Sequence, residues 1–232
     1  MARLDGCVTT TAWGVLAGSL MLTALLTSCA ASMSGRRTEV TPDAYGRTKE
    51  THAVVLMSLD WRRRWGFCAA ENVQLRTFAF DRMPVRKHSD DEAADLLLEA
   101  PPSLVAGPGT FADYALLVEP GEYALTFSEL KTARSVDDVA VYRAGRRKLL
   151  QNGTPLAGSF KADPGELVYV GHFALECLNG QPTIWRYYVD GREAFQQYLA
   201  TRVRAKYPFL DTEKAQYRLF RTSVIGHDYE LR

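Results

Sequence analysis

The sequence predicts a mainly β protein, a β-sandwich or open barrel, with one or two helices (the longer near the C-terminus) behind a flexible N-terminal tether. Three observations carry that prediction. Short runs rich in β-branched and aromatic residues recur at near-regular spacing through the chain. The turn dipeptides Pro120-Gly121 and Asn179-Gly180 separate such runs. Helix start signals open only two segments.

The strands follow in order. His52–Leu59 is a short apolar run, and Val73–Phe80 alternates, with Val73, Leu75, Thr77 and Ala79 on one side and Gln74, Arg76, Phe78 and Phe80 on the other. Tyr114–Glu119 and Glu122–Phe127 flank Pro120-Gly121, and Val136–Arg143 supplies a further strand. Leu167–Leu175 is apolar on both faces, the mark of a central strand covered on each side. It forms a hairpin with Thr183–Val189 through Asn179-Gly180. Gln216–Val224 alternates loosely and reads as a returning edge strand. The first helix is expected where Ser89-x-x-Glu92 forms a capping box before EAADLLLEA, ending at Pro101-Pro102. The second opens at Asp190-x-x-Glu193 and runs to about Lys206, with Phe195, Tyr198, Leu199 and Val203 on one side and Pro208 as its stop.

With 28 basic and 27 acidic residues the formal net charge is +1. That balance removes the electrostatic case for a nucleic-acid partner, which needs a basic excess. Self-similarity at solenoid or propeller periods is absent.

The sharpest signal lies at the N-terminus. Ala12–Leu26 is apolar and uncharged, which suits the core of a signal peptide and is too short for a span of roughly 20 residues. Leu26-Thr27-Ser28-Cys29 follows and resembles the lipobox of bacterial lipoproteins. The resemblance implies cleavage between Ser28 and Cys29, a diacylglyceryl thioether on the Cys29 thiol, and a further acyl chain on the freed amino group. More than one chain makes such an anchor stable, since a single chain holds only marginally. Ala30, in place of an aspartate, implies sorting to the outer membrane, facing the periplasm. The expected organisation is therefore a leader over residues 1–28, a tether over 29–50 that includes Arg36 and Arg37, and one β-rich domain over 51–232.

Cys7 leaves with the leader, so Cys68 and Cys177 remain of the four cysteines. Their spacing fits no zinc pattern. They are a candidate disulfide in an oxidising compartment, or else two buried thiols.

Two further stretches add to the resemblance. Pro120-Gly121-Glu122-Tyr123-Ala124-Leu125, with Gly158-Ser159-Phe160-Lys161-Ala162-Asp163-Pro164-Gly165-Glu166-Leu167-Val168-Tyr169-Val170-Gly171 downstream, resembles a pattern of uncharacterised bacterial lipoproteins with a β-sandwich body; such turn-then-strand signatures also occur in unrelated sandwiches of prealbumin or immunoglobulin type. The resemblance implies fold and location, and no activity.

Chemistry-bearing motifs are sparse. A nucleophile elbow, H-E-x-x-H, a phosphate-binding loop and a dinucleotide fingerprint are all absent from the part after Cys29. Gly158-Ser159 reads as a turn. His88 with Asp90, Asp91 and Glu92 has the density of a cation site but also suits a helix start. His172, placed by parity on the side of Val168 and Val170 and near Glu176, is either structural or a catalytic base. Gly171 beside it marks a bulge or a close backbone approach. Trp61-Arg62-Arg63-Arg64-Trp65 is the most unusual stretch: three guanidiniums between two indoles form either a hairpin end whose arginines cover the aromatic faces, or a grip for a headgroup, a phosphate or a glycan carboxylate. Arg143-x-x-Arg146-Arg147-Lys148 is expected to edge a loop.

Together these features point to an outer-membrane lipoprotein without a cofactor. It acts as a non-enzymatic binding or structural module whose partners are membrane lipid through Cys29 and another envelope protein or cell-wall glycan. The alternatives are an accessory of an envelope secretion or efflux assembly, and a periplasmic hydrolase using His172 or His88.

Overall fold

The computed structural model describes residues 39–101, 111–227 and 229–231. The leader, the Ser28–Cys29 bond, the Cys29 anchor and the Arg36-Arg37 pair lie outside the described residues.

Helix α1 (Pro42–Thr48) comes first, its start fixed by the Thr41 hydroxyl accepting from the Ala44 amide and by Pro42 in the first turn. Strands β1 (Ala53–Leu59), β2 (Arg64–Gly66), β3 (Glu71–Arg82), β4 (Leu96–Glu99), β5 (Ala112–Val118) and β6 (Gly121–Ala133) follow, with the short helix α2 (Phe67–Ala70) between β2 and β3. Next come β7 (Val139–Ala144), helix α3 (Arg146–Leu149), the small hairpin β8 (Leu150–Gln151) and β9 (Thr154–Pro155), then β10 (Ser159–Ala162), β11 (Leu167–Leu178) and β12 (Gln181–Tyr187). The helix α4 (Arg192–Tyr198) passes through a π turn (Leu199–Val203) into α5 (Arg204–Lys206), and β13 (Gln216–Tyr217) ends the series.

The first sheet has the order β12-β11-β1-β5, with β13 also on β11; β1 and β11 run parallel. The second has the order β10-β6-β3-β2, with β4 also on β3 and β7 on β6. Val55, Met57, Val168 and Phe173 from the first sheet pack between the sheets against Val73, Leu75, Phe78 and Phe80 from the second. This is a β-sandwich. The outer face of the first sheet carries a second apolar layer, Leu56, Leu167 and Tyr169, covered by Phe195, Tyr198, Leu199 and Val203 of the C-terminal helix. That explains why Leu167–Leu175 is apolar on both faces. Among the described residues no helix is long and apolar enough to cross a membrane.

Several expectations need correction. Residues 39–50, assigned to the tether, are folded: the Val40 amide donates to Ala115 O at 2.8 Å, and Val40 is buried in the layer under the helix. The first expected helix is a strand. Glu92 does accept from the amides of His88 and Ser89, as a capping box would. The leucines after it nonetheless pair with β3, with Leu96 and Leu98 in the main core and Leu97 against Ala79 and Phe127. Burial from both faces outweighs local helix preference. The Asp190 capping box does not form, because Gly191 is the N-cap and Asp190 accepts from the Tyr229 hydroxyl at 2.5 Å.

The alternation expected in Val73–Phe80 breaks at a bulge between Leu75 and Thr77, so Val73, Leu75, Phe78 and Phe80 all face the core. Gln216–Val224 is a strand only over Gln216–Tyr217. It then crosses to β10, where Arg221 bridges Ser159, and buries Phe220 in the core. Arg146, expected at a loop edge, is buried at 2% exposure and ion-paired to Asp81 at 2.8 Å.

Candidate functional site

The Trp61–Trp65 stretch is pinned from beneath. Asp60 is buried at the end of β1 and takes the Arg62 amide (3.0 Å), Arg62 Nε (2.7 Å) and Nη2 (2.6 Å), and Arg64 Nη2 (3.1 Å). Burial by itself pushes the Asp60 carboxyl up, but the hydrogen bonds and charge of Arg62, with the charge of Arg64, hold it below the usual carboxylate range. Trp61 is buried, and its indole donates to the Tyr114 hydroxyl at 2.7 Å. Gln74 donates to the Trp61 carbonyl at 2.9 Å. The Gly66 amide donates to Asn72 at 3.2 Å in a left-handed turn (φ +61°) that only glycine adopts without strain. Two residues on, Cys68 is bonded to Cys177 at the end of β11, with Cα atoms 5.4 Å apart.

These ties divide the stretch. Trp61, Arg62 and Arg64 hold the chain, and Arg64 also lies over Phe67 at 5.3 Å. Arg63 and Trp65 alternate outward instead. The Arg63 guanidinium sits 5.3 Å from the Trp65 ring centre, and Trp65 remains 72% exposed. They wall a cleft of about 420 Å³ with Gln74, Lys131, Ser135 and Val136, on the outer face of the second sheet. The five residues therefore do not form one gripping cluster: three are structural and two face solvent. Lys131 and the Ser135–Val139 turn carry no sequence signal that would single them out. They stand beside Trp65 because β6 pairs Lys131 with Gln74 and Ala133 with Asn72.

Such a cleft offers an open indole edge and two cations, Arg63 and Lys131. A sugar ring has apolar C–H faces that lie against indole, and a carboxylate on it would take the guanidinium and ammonium. The bonds of Asp60, Gln74 and Cys68 fix the backbone on either side of Trp65, which lowers the cost of ordering this stretch on binding.

The other candidates disperse. His172 faces away from Val168 and Val170, because the register slips at Gly171 (φ +119°) and the extra residue reverses parity. Its ring packs with Tyr169 and Tyr198 under the helix and with Phe111, at 5.3, 5.1 and 5.0 Å between centroids. Burial pushes its pKa down to about 4 against the opposing pull of Asp113. Glu176 accepts from the Tyr187 hydroxyl.

Ser58 and Asp113, which no sequence pattern marks, lie next to His172. Ser58 Oγ donates to Asp113 Oδ1 at 2.5 Å, and Arg202 Nε donates to Asp113 Oδ2 at 2.8 Å. A serine relay needs the imidazole between hydroxyl and carboxylate; here the serine bonds the carboxylate directly and an arginine takes the other oxygen. That wiring ties the helix to the strand ends. His88 is exposed in the loop between β3 and β4, in the other sheet, and Asp90 caps the Arg146 amide at 2.7 Å. Among the described residues no cluster of three His, Cys, Asp or Glu side chains could hold a metal. Ser159 donates to Glu122 at 2.5 Å within the β10–β6 pair. No family model, curated protein or solved structure matches this chain.

Proposed function

We propose that the chain is an outer-membrane lipoprotein anchored through acylated Cys29. Its β-sandwich acts as a non-enzymatic module that binds cell-wall glycan through the Arg63–Trp65 cleft. The single observation that carries this reading is the exposed Trp65 ring with Arg63 over it, on a base made rigid by Asp60 and by the Cys68–Cys177 bond. The lipobox-like leader supplies the compartment, and a bonded cysteine pair suits it.

The test is sedimentation of the full chain with insoluble purified cell-wall glycan, in detergent. Wild type is expected in the pellet, and Trp65→Ala should weaken binding about tenfold, the equivalent of about 1.4 kcal/mol for removing a stacking and cation–π interaction. Wild type that stays in the supernatant overturns the glycan reading. Trp65→Ala that pellets like wild type overturns the site. The anchor is read separately by mass analysis of the mature N-terminus: an unmodified Cys29, or a different first residue, overturns it.

A further inference from the structure

A larger cavity lies on the outer side of the first sheet, away from the Trp65 cleft. It measures about 870 Å³ and runs between the C-terminal helix and the segment from Thr212 to Arg221. Its helix wall presents Arg192, Gln196, Ala200 and Arg204, one every four residues and so along one stripe of the helix. The opposite wall contributes Tyr217 and Arg221.

The charges within it are unevenly matched. Arg218 is satisfied by Glu166, at 2.5 Å and 3.0 Å, and by Asp163. Arg204 donates to Thr212 at 3.0 Å and lies 3.9 Å from Glu213. Arg192 and Arg221 are exposed and have no side-chain partner among the described residues. Glu213 and Glu230 also line the cavity, the former facing Arg204.

A second feature points to the same place. The π turn Leu199–Val203 inserts a residue where the helix borders the cavity. Leu199 and Val203 stay in the apolar layer and Arg202 reaches Asp113, while the small Ala200 is left facing the cavity. Such π turns are frequent at functional sites.

We propose that this cavity binds a multivalent oxyanion, with Arg192 and Arg221, which both line it, as the cations that hold it. Guanidinium forks match carboxylate and phosphate alike, so the shared chemistry is the doubly accepting oxyanion group. The proposal goes beyond the glycan reading and does not depend on it.

The test is calorimetric titration of the full chain in detergent with pyrophosphate and with citrate, against sodium chloride at matched ionic strength. Saturable binding of either probe is expected; a preference between them identifies phosphate or carboxylate as the better match. Removing one charge-assisted hydrogen-bonding partner should weaken affinity roughly tenfold, so Arg192→Gln with Arg221→Gln should weaken it about a hundredfold. Ala200→Tyr, at an exposed helix position, should narrow the cavity along its helix wall and weaken binding without altering charge. Trp65→Ala should leave it unchanged. The proposal is overturned if neither probe binds beyond the salt control, if the double glutamine variant binds like wild type, or if Ala200→Tyr binds both probes undiminished.

Discussion

Asp81 is fully buried on β3 and accepts four hydrogen bonds, so it is the residue whose replacement the fold should feel most. Its Oδ2 takes Arg146 Nε at 2.8 Å and the Thr126 hydroxyl at 2.7 Å; its Oδ1 takes Lys87 Nζ at 2.7 Å and the Asp95 amide at 3.1 Å. Asp81→Asn keeps the shape but removes the charge and turns one acceptor into a donor, facing cations on both sides. Arg146, equally buried, is then left uncompensated. Breaking one side of a buried pair costs about 3–5 kcal/mol. For a chain of this size that lowers the melting temperature by roughly 6–20 °C, at about 2–4 °C per kcal/mol.

The pair itself is worth much less than its breakage. Asp81→Leu with Arg146→Met should therefore be more stable than Asp81→Leu alone, though still short of wild type because Thr126 and the Asp95 amide lose their acceptor. Urea unfolding of wild type and these variants, followed by circular dichroism, measures both effects. Asp81→Asn within about 1 kcal/mol of wild type, or a double variant as unstable as the sum of its single changes, would show that the two charges are not coupled in this way. The pH dependence supplies an independent check. Burial pushes the Asp81 carboxyl up, but Arg146, Lys87 and Thr126 together hold it below its ordinary value of 3.8. Its stabilisation is thus complete above the unfolded value and disappears as pH falls through the lower folded value. Asp81→Asn should flatten that acid limb.

Two other perturbations follow from the same structure. His172 has its folded pKa lowered to about 4 from 6.5, so the unfolded chain binds the extra proton first as pH falls. Stability should be full above about pH 6.5 and decline by up to about 3 kcal/mol towards pH 4; unfolding of His172→Phe, compared with wild type at about pH 7 and about pH 4.5, should show less of that decline. Equal slopes for the two proteins would remove His172 as the cause. The Cys68–Cys177 bond closes a separation of 109 residues, for which the chain-entropy account gives about 4–5 kcal/mol. Replacing both cysteines by alanine, or adding reductant to wild type, should lower the urea midpoint alike, and reductant should leave the alanine variant unmoved. A wild-type midpoint insensitive to reductant would contradict this.

Local pattern was enough to locate β1, the β11–β12 hairpin and the C-terminal helix. Each is specified by the period of its own apolar residues, and β11 announced its central place by being apolar on both sides. Asn179-Gly180 does what its chemistry allows, both residues taking positive φ (52° and 75°) in the turn between β11 and β12. The lipobox-like reading of Leu26-Thr27-Ser28-Cys29 rests on a linear motif alone, and those residues lie outside the described ones.

What depended on packing was hidden for a physical reason in each case. Parity counting assumes two residues per pleat, and the extra residue at Gly171 turned His172 to the helix side, as the bulge after Leu75 turned Phe78 and Phe80 inward. The capping bonds of Glu92 formed as the local sequence directs, yet β3 offered Leu96–Leu98 more burial than a helix would have. Arg146 and Asp81 are 65 positions apart, and so no window of sequence reveals that each is the other's counter-ion. In the Trp61–Trp65 stretch the order of residues sets which side chains are present; Asp60, Tyr114 and Gln74 decide which of them are spent on holding the chain. The two cavities are likewise products of the assembled fold, because Trp65 and Lys131 line one cleft, and Arg192 and Arg221 one cavity, only once segments distant in sequence have packed together.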